Sequence, residues 1–185
     1  MTRTFASGLP FSERNLIITG YIGPDQPVLG RQIAAQLRMP FVNIDAEIAA
    51  RLDLPIDQIR AYYGETRLKT IEAEIVQEAA LRRSSVIRAS GRTLINGDNL
   101  ARLRSTGPVF ALRVVVDAML HRLHVSMGAR FHDPNERALA VGELKREWVI
   151  YEAPGIQLLD TTDMTTDEII RTLVGLWRSL TVRRA

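Results

Sequence analysis

The chain of 185 residues has no cysteine. That absence removes thiolate nucleophiles, disulfides, Cys-ligated zinc and iron–sulfur clusters from its chemistry. Long hydrophobic runs are missing too: Val109–Leu112 and Val114–Val116 are among the longest uncharged apolar stretches, far below the ~20 residues of a membrane-spanning helix. The N-terminus lacks a basic-then-apolar leader pattern, so a soluble cytoplasmic protein away from the membrane is expected. Aromatic residues make up 6% of the chain and are not interleaved with a basic stripe, which argues against nucleic-acid binding. Lys and Arg number 24 against 21 Asp and Glu, a net charge of +3. That slight excess suits a small anionic ligand but does not require one. With 46% hydrophobic residues the chain can bury one sizeable core. We expect an N-terminal arm over 1–14 and a single domain over 15–185.

What is present is an alternation. Asn15-Leu16-Ile17-Ile18-Thr19-Gly20 is a short β-prone run closed by glycine. Leu29, Ile33 and Leu37, with Ala34 beside them, recur at the spacing of one helix face. Phe41–Ile44, Ser85–Ala89, Val109–Val116 and Ile156–Leu159 read as four further strands. Helical patterns cover residues 45–51, 56–63, 66–83, 99–104, 117–127, 136–151 and 166–180. Thr165 followed by Glu168 forms a capping box for the last helix. Five strands separated by helices predict an α/β three-layer αβα sandwich with a mostly parallel sheet. Ligands in such sheets bind beyond the carboxyl ends of the strands, which directs attention to the segments after Thr19, Ile44, Ala89, Val116 and Leu159.

The first of these, Gly20-Tyr21-Ile22-Gly23-Pro24-Asp25-Gln26-Pro27, stands where a phosphate-binding loop G-x-x-x-x-G-K-[ST] belongs. Gly20 and Gly23 suit the frame, but Asp25 replaces the second motif glycine, Gln26 the lysine and Pro27 the hydroxyl residue. Pro24 and Pro27 have no N–H to offer a phosphate. Asp25 would repel one, and Gln26 offers a dipole in place of a full charge. Pro27 remains compatible with the first turn of a helix, so the changes spare the fold. An ordinary Gly/Pro turn that never bound phosphate is the alternative for this loop taken alone.

Several segments in shared order resemble the shikimate kinase family, across most of residues 15–180. Asn15–Arg31 resembles its first strand, loop and helix. Phe41-Val42-Asn43-Ile44-Asp45 resembles the segment of two alternating aspartates, one associated with magnesium and the next with substrate hydroxyls; here Asn43 takes the first place and Asp45 keeps the second. Gly64-Glu65-Thr66-Arg67-Leu68-Lys69-Thr70-Ile71-Glu72 resembles the family's G-E-x-x-F-R-x-x-E, with Lys69 for the substrate-binding arginine. Lysine keeps that charge without the bidentate fork. Ala89-Ser90-Gly91-Arg92-Thr93 lies at the family's triple-glycine loop, and Arg92 either fills the substrate space or offers a new anion contact. Residues 122–137 resemble the lid, with Arg130 the candidate for its arginine. Arg146 lies five residues before Tyr151, whereas the family's substrate-binding arginine stands four before a tyrosine.

The resemblance implies a P-loop kinase-like fold, and the residues at its site imply damage to the chemistry. Phosphoryl transfer depends on positioning and charge stabilisation by lysine, Mg²⁺ and arginine. This chain lacks the loop lysine, the magnesium hydroxyl and the first carboxylate of the aspartate pair. The expectation is a kinase-fold protein that has lost, or nearly lost, ATP-dependent transfer and keeps a binding, regulatory or assembly role. The alternative is an active small-molecule kinase using ATP and Mg²⁺ with Lys69, Arg92 or Arg130 in place of the lost cation. A third possibility keeps a pocket of Asp45, Lys69, Gly91 and Arg146 for a shikimate-like hydroxy acid or other small anion, without nucleotide. A metal site from His121, His124 and His132 is not expected, since no acidic partner accompanies them. Trp148 and Trp177 read as packing residues. Asp45 also reads as a helix cap, and Lys69 as a partner of Glu65 and Glu72 on a solvated helix face.

Overall fold

The computed structural model describes residues 9–20, 23, 26–128 and 133–182. Five strands form one sheet in the order β2-β3-β1-β4-β5, with every neighbouring pair parallel. They are β1 (Leu16–Thr19), β2 (Phe41–Asn43), β3 (Val86–Arg88), β4 (Val109–Arg113) and β5 (Gln157–Asp160). The helices are α1 (Gln26–Leu37), α2 (Ile44–Leu52), α3 (Ile56–Leu81), α4 (Gly91–Ile95), α5 (Asn99–Thr106), α6 (Val116–Met127), α7 (Pro134–Glu147) and α8 (Thr166–Val182). No described helix is long and apolar enough to cross a membrane.

The central strand explains the sandwich. All four residues of β1 are buried, and the period of two sends successive side chains to opposite faces. Leu16 and Ile18 join Leu29, Ile33, Phe110, Leu173 and Trp177 under α1 and α8. Ile17 joins Ile71, Ile75, Val109 and Ile150 on the other face. A strand covered on both sides is mostly apolar, as Leu16, Ile17 and Ile18 are here, and full burial of each such side chain contributes about 1.5–3 kcal/mol. At the lower end, Asn15 clamps three segments. Its Nδ2 donates to the Arg82 carbonyl at 2.9 Å and to Thr106 Oγ1 at 3.1 Å, and its Oδ1 accepts from Ser85 N–H at 3.0 Å.

The boundaries differ from expectation in several places. The two helical patterns before and after residues 64–65 join as α3, but Gly64 inside it has φ 80°, ψ 166°, a break in helical geometry where the sequence pattern breaks. The fourth strand ends at Arg113 and residue 116 already opens α6. Pro134 begins α7 with Asp133 as its cap, Asn135 N–H donating to Asp133 Oδ1 at 2.8 Å. This helix ends at Glu147, and a 3-10 turn, Trp148–Glu152, replaces its expected last turn. The segment after β3 is the helix α4, capped by Ser90, whose Oγ accepts from Thr93 N–H at 3.2 Å.

The expected capping box is present: Thr165 N–H donates to Glu168 Oε2 at 2.8 Å, and Glu168 N–H to Thr165 Oγ1 at 3.3 Å. Trp177 is 6% exposed and packs on Phe11, with ring centroids 4.9 Å apart. Trp148 is a correction to the sequence reading. It is 44% exposed, because the 3-10 turn points Ile150 into the core in its place.

Candidate functional site

The carboxyl ends of β2, β3 and β1 lie side by side, so the segments leaving them share one edge of the sheet. The first segment turns at Gly20, which has φ +88°, and a Cβ there would stand 2.2 Å from the Leu112 carbonyl oxygen. Only glycine fits such an approach. Gly20, Gly23 and Gln26 are buried. Gln26 opens α1, and its Nε2 donates to the Gly20 carbonyl at 2.5 Å. The side chain at the expected lysine position thus folds back onto the loop's own backbone. Pro27 is the second residue of α1. Asp25 and Arg130, with Pro24 and His132, lie outside the described residues. Among the described residues no cluster of His, Asp and Glu could hold a metal ion.

Beyond β2 and β3 the site is built around a residue the sequence reading did not single out. Arg88, the last residue of β3, is opposite Asn43 in the register. Its guanidinium ion-pairs with Asp45 and donates to Asn43 Oδ1 at 3.4 Å. The side chains of Arg88 and Asp45 are 12% and 21% exposed, so this pair is shielded far better than a surface one. Asp45 is the second residue of α2, and the helix is preceded by Asn43 without a side-chain cap. Its role here is the ion pair, not the cap. Asp45 Oδ1 and Arg88 Nε are buried with no hydrogen-bond partner, as is Thr19 Oγ1 at the end of β1.

The second unanticipated residue is Glu147. It is 5% exposed, and its Oε2 accepts a hydrogen bond from Gly91 N–H at 2.5 Å. A Cβ on Gly91 would meet that same oxygen at 2.9 Å and Ile150 Cβ at 2.9 Å, so glycine permits the approach of α7 and the following turn. Burial pushes the Glu147 carboxyl up to about 7; the Gly91 N–H and Arg88 oppose the rise, and Asp45 and Glu143 add to it. Tyr151 in the same turn donates from its hydroxyl to the Leu112 carbonyl at 3.0 Å, and burial, then Glu147, raises its phenol to about 12.

The remaining expected residues are dispersed. Lys69 is exposed on α3, and the helix ion pairs foreseen for it do not form. Glu65 instead pairs with Arg60 at 3.0 Å and Arg92 at 3.4 Å. Glu72 is 6% exposed and accepts from Thr93 Oγ1 at 3.3 Å and from the Asn96 amide. Burial raises its carboxyl, opposed by those two bonds. Arg146 is exposed and ion-paired with Glu143, one turn back on α7. The structure therefore brings Asp45, Gly91, Arg88 and Glu147 into one charged neighbourhood and leaves Arg146 outside. A signal for Glu147 was present in the sequence: it stands four residues before Tyr151.

A five-stranded parallel sheet in this order, helices on both faces and a glycine turn after the central strand together define a P-loop kinase-like α/β protein. The shikimate kinase family model matches residues 28–176, and the chain belongs to the shikimate kinase family. It is 24% identical over 170 residues to a shikimate kinase of Thermodesulfovibrio yellowstonii, covering 90% of this chain and 96% of that one. The structure of shikimate kinase from Acinetobacter baumannii in complex with shikimate superposes with a TM-score of 0.74 at 21% identity, over 93% of this chain and 97% of that one. That from Bacteroides thetaiotaomicron gives 0.67 at 22% identity, over 90% and 97%.

Proposed function

We propose that this chain is a shikimate kinase-family protein that has lost, or nearly lost, ATP-dependent phosphoryl transfer and keeps a small-molecule binding, regulatory or assembly role in the cytoplasm. The observation that carries this reading is Gln26. Its amide is buried and hydrogen-bonded to the Gly20 carbonyl, so the group at the lysine position ties the loop to itself and carries no charge toward a phosphate. Pro27 removes one more backbone donor and the hydroxyl. Asn43 offers magnesium no carboxylate, and its oxygen already accepts from Arg88. ATP and Mg²⁺ therefore do not fit the residues present at this end in the way phosphoryl transfer requires. Losing a single donor to a developing charge costs about 3–4 kcal/mol, roughly 10²–10³ in rate.

The test is turnover of purified protein with Mg-ATP and shikimate, beside thermal shifts with ATP, ADP, phosphate and shikimate. No nucleotide shift and no turnover are expected. A rate within the usual kinase range of about 1–100 s⁻¹ overturns the reading. A second reading, an active kinase with a non-standard phosphate site, is favoured by Lys69, an exposed cation with none of the foreseen helix ion pairs. It requires nucleotide binding that Lys69→Met abolishes.

A further inference from the structure

We propose that Glu147 is a specificity-determining residue, which turns the charged site at the ends of β2 and β3 away from carboxylate ligands and toward an uncharged hydroxylated one. The inference deepens the small-molecule role proposed above and rests on it.

Three observations converge. The first is the place of the carboxylate. Glu147 stands four residues before Tyr151, where the resemblance puts a substrate-binding arginine, so the sign of the charge is inverted. Its Oε2 is buried on Gly91 N–H, in the segment that the resemblance assigns to the substrate loop. A ligand carboxylate approaching that N–H meets an oxygen already bonded to it. Like-charge juxtaposition in a shielded site is a strong means of rejecting a ligand.

The second is the local balance of charge. Arg88 is matched by Asp45, Arg92 by Glu65 and Arg146 by Glu143. Among the described residues each of these arginines is thus already matched by a carboxylate, and Glu147 adds a further negative charge. Arg146 does not compensate, because it is exposed and turned to Glu143.

The third concerns two buried polar atoms at the ends of β2 and β3. Asp45 Oδ1 is a buried acceptor and Arg88 Nε a buried donor, and neither has a partner. Buried polar atoms are normally satisfied. A hydroxyl is donor and acceptor at once, so hydroxyl groups supply what both atoms lack without bringing a charge to Glu147.

The experiment compares shikimate with its uncharged methyl ester by calorimetry at pH 8 without nucleotide, on wild-type protein, Glu147→Arg and Glu147→Gln. Circular dichroism confirms that each variant is folded. Wild-type protein is expected to bind the ester at least about tenfold more tightly than the acid, a gap of roughly 1.4 kcal/mol. Glu147→Arg reverses that order. Glu147→Gln, which keeps an oxygen for Gly91 N–H at similar size, narrows the gap and serves if the arginine variant does not fold. Equal binding of acid and ester by wild-type protein overturns the proposal, as does failure of wild-type protein to bind the ester at millimolar concentration. A folded Glu147→Arg that still rejects shikimate overturns it too. Because no nucleotide is present, these results stand apart from the turnover assay: phosphorylation of an uncharged acceptor would sink the proposed loss of activity and leave the role of Glu147 intact.

Discussion

Replacing Glu147 by glutamine is expected to change how stability depends on pH, and the sign follows from the structure. The folded carboxyl titrates at about 7, against an ordinary value of 4.5, because it is buried. Between those values the native chain holds a proton that the unfolded chain has released, so stability falls as pH rises through the window. The slope is about 1.4 kcal/mol per pH unit, and the interval of about 2.5 units amounts to roughly 3 kcal/mol in total. Glutamine is neutral throughout and retains an oxygen for the Gly91 N–H. Glu147→Gln should therefore match the wild type near pH 5 and exceed it by up to about 3 kcal/mol near pH 8. Urea unfolding at half-unit steps from pH 5 to 8 measures this directly, the midpoint shift being converted through an unchanged m-value. Groups common to both proteins, such as Glu72 with its carboxyl raised by burial, cancel in the difference. A difference curve that is flat across the window refutes the argument. So does one that rises toward acid.

Three further outcomes are expected. Gly20→Ala forces a Cβ to within 2.2 Å of the Leu112 carbonyl at φ +88°, so it should destabilise by about 3 kcal/mol or more, read as a drop in the urea midpoint. Tyr151→Phe removes the hydroxyl donor to the Leu112 carbonyl and should cost about 1 kcal/mol in the same measurement. Asp160 is held at about 2 by the Thr162 hydroxyl and then by Arg113. The stability it contributes is present above its ordinary value of 3.8 and is lost as pH falls toward 2. Asp160→Asn should accordingly flatten acid unfolding between pH 4 and 2. The effect is small because the pair is 46% exposed on both sides.

The sequence by itself determined the layered architecture. Apolar β-prone runs and 3.6-period faces are local patterns, and a strand buried on both faces, such as Leu16–Thr19, draws mainly on apolar residues. The glycine turn at Gly20, the break at Gly64 and the Thr165–Glu168 cap were legible for the same reason: each is settled by residues a few positions apart. So was Gln26 at the position where a loop lysine is expected, although its bond to the Gly20 carbonyl was not. Only the tertiary structure decided which charged residues meet at the ends of β2 and β3. Arg88 and Asp45 are 43 residues apart, and Gly91 and Glu147 are 56 apart; no local pattern announces either pair. Arg146 and Glu147 are neighbours in sequence, but on a helix of 3.6 residues per turn one step is a rotation of about 100°. That rotation places the arginine in solvent and the glutamate against Gly91.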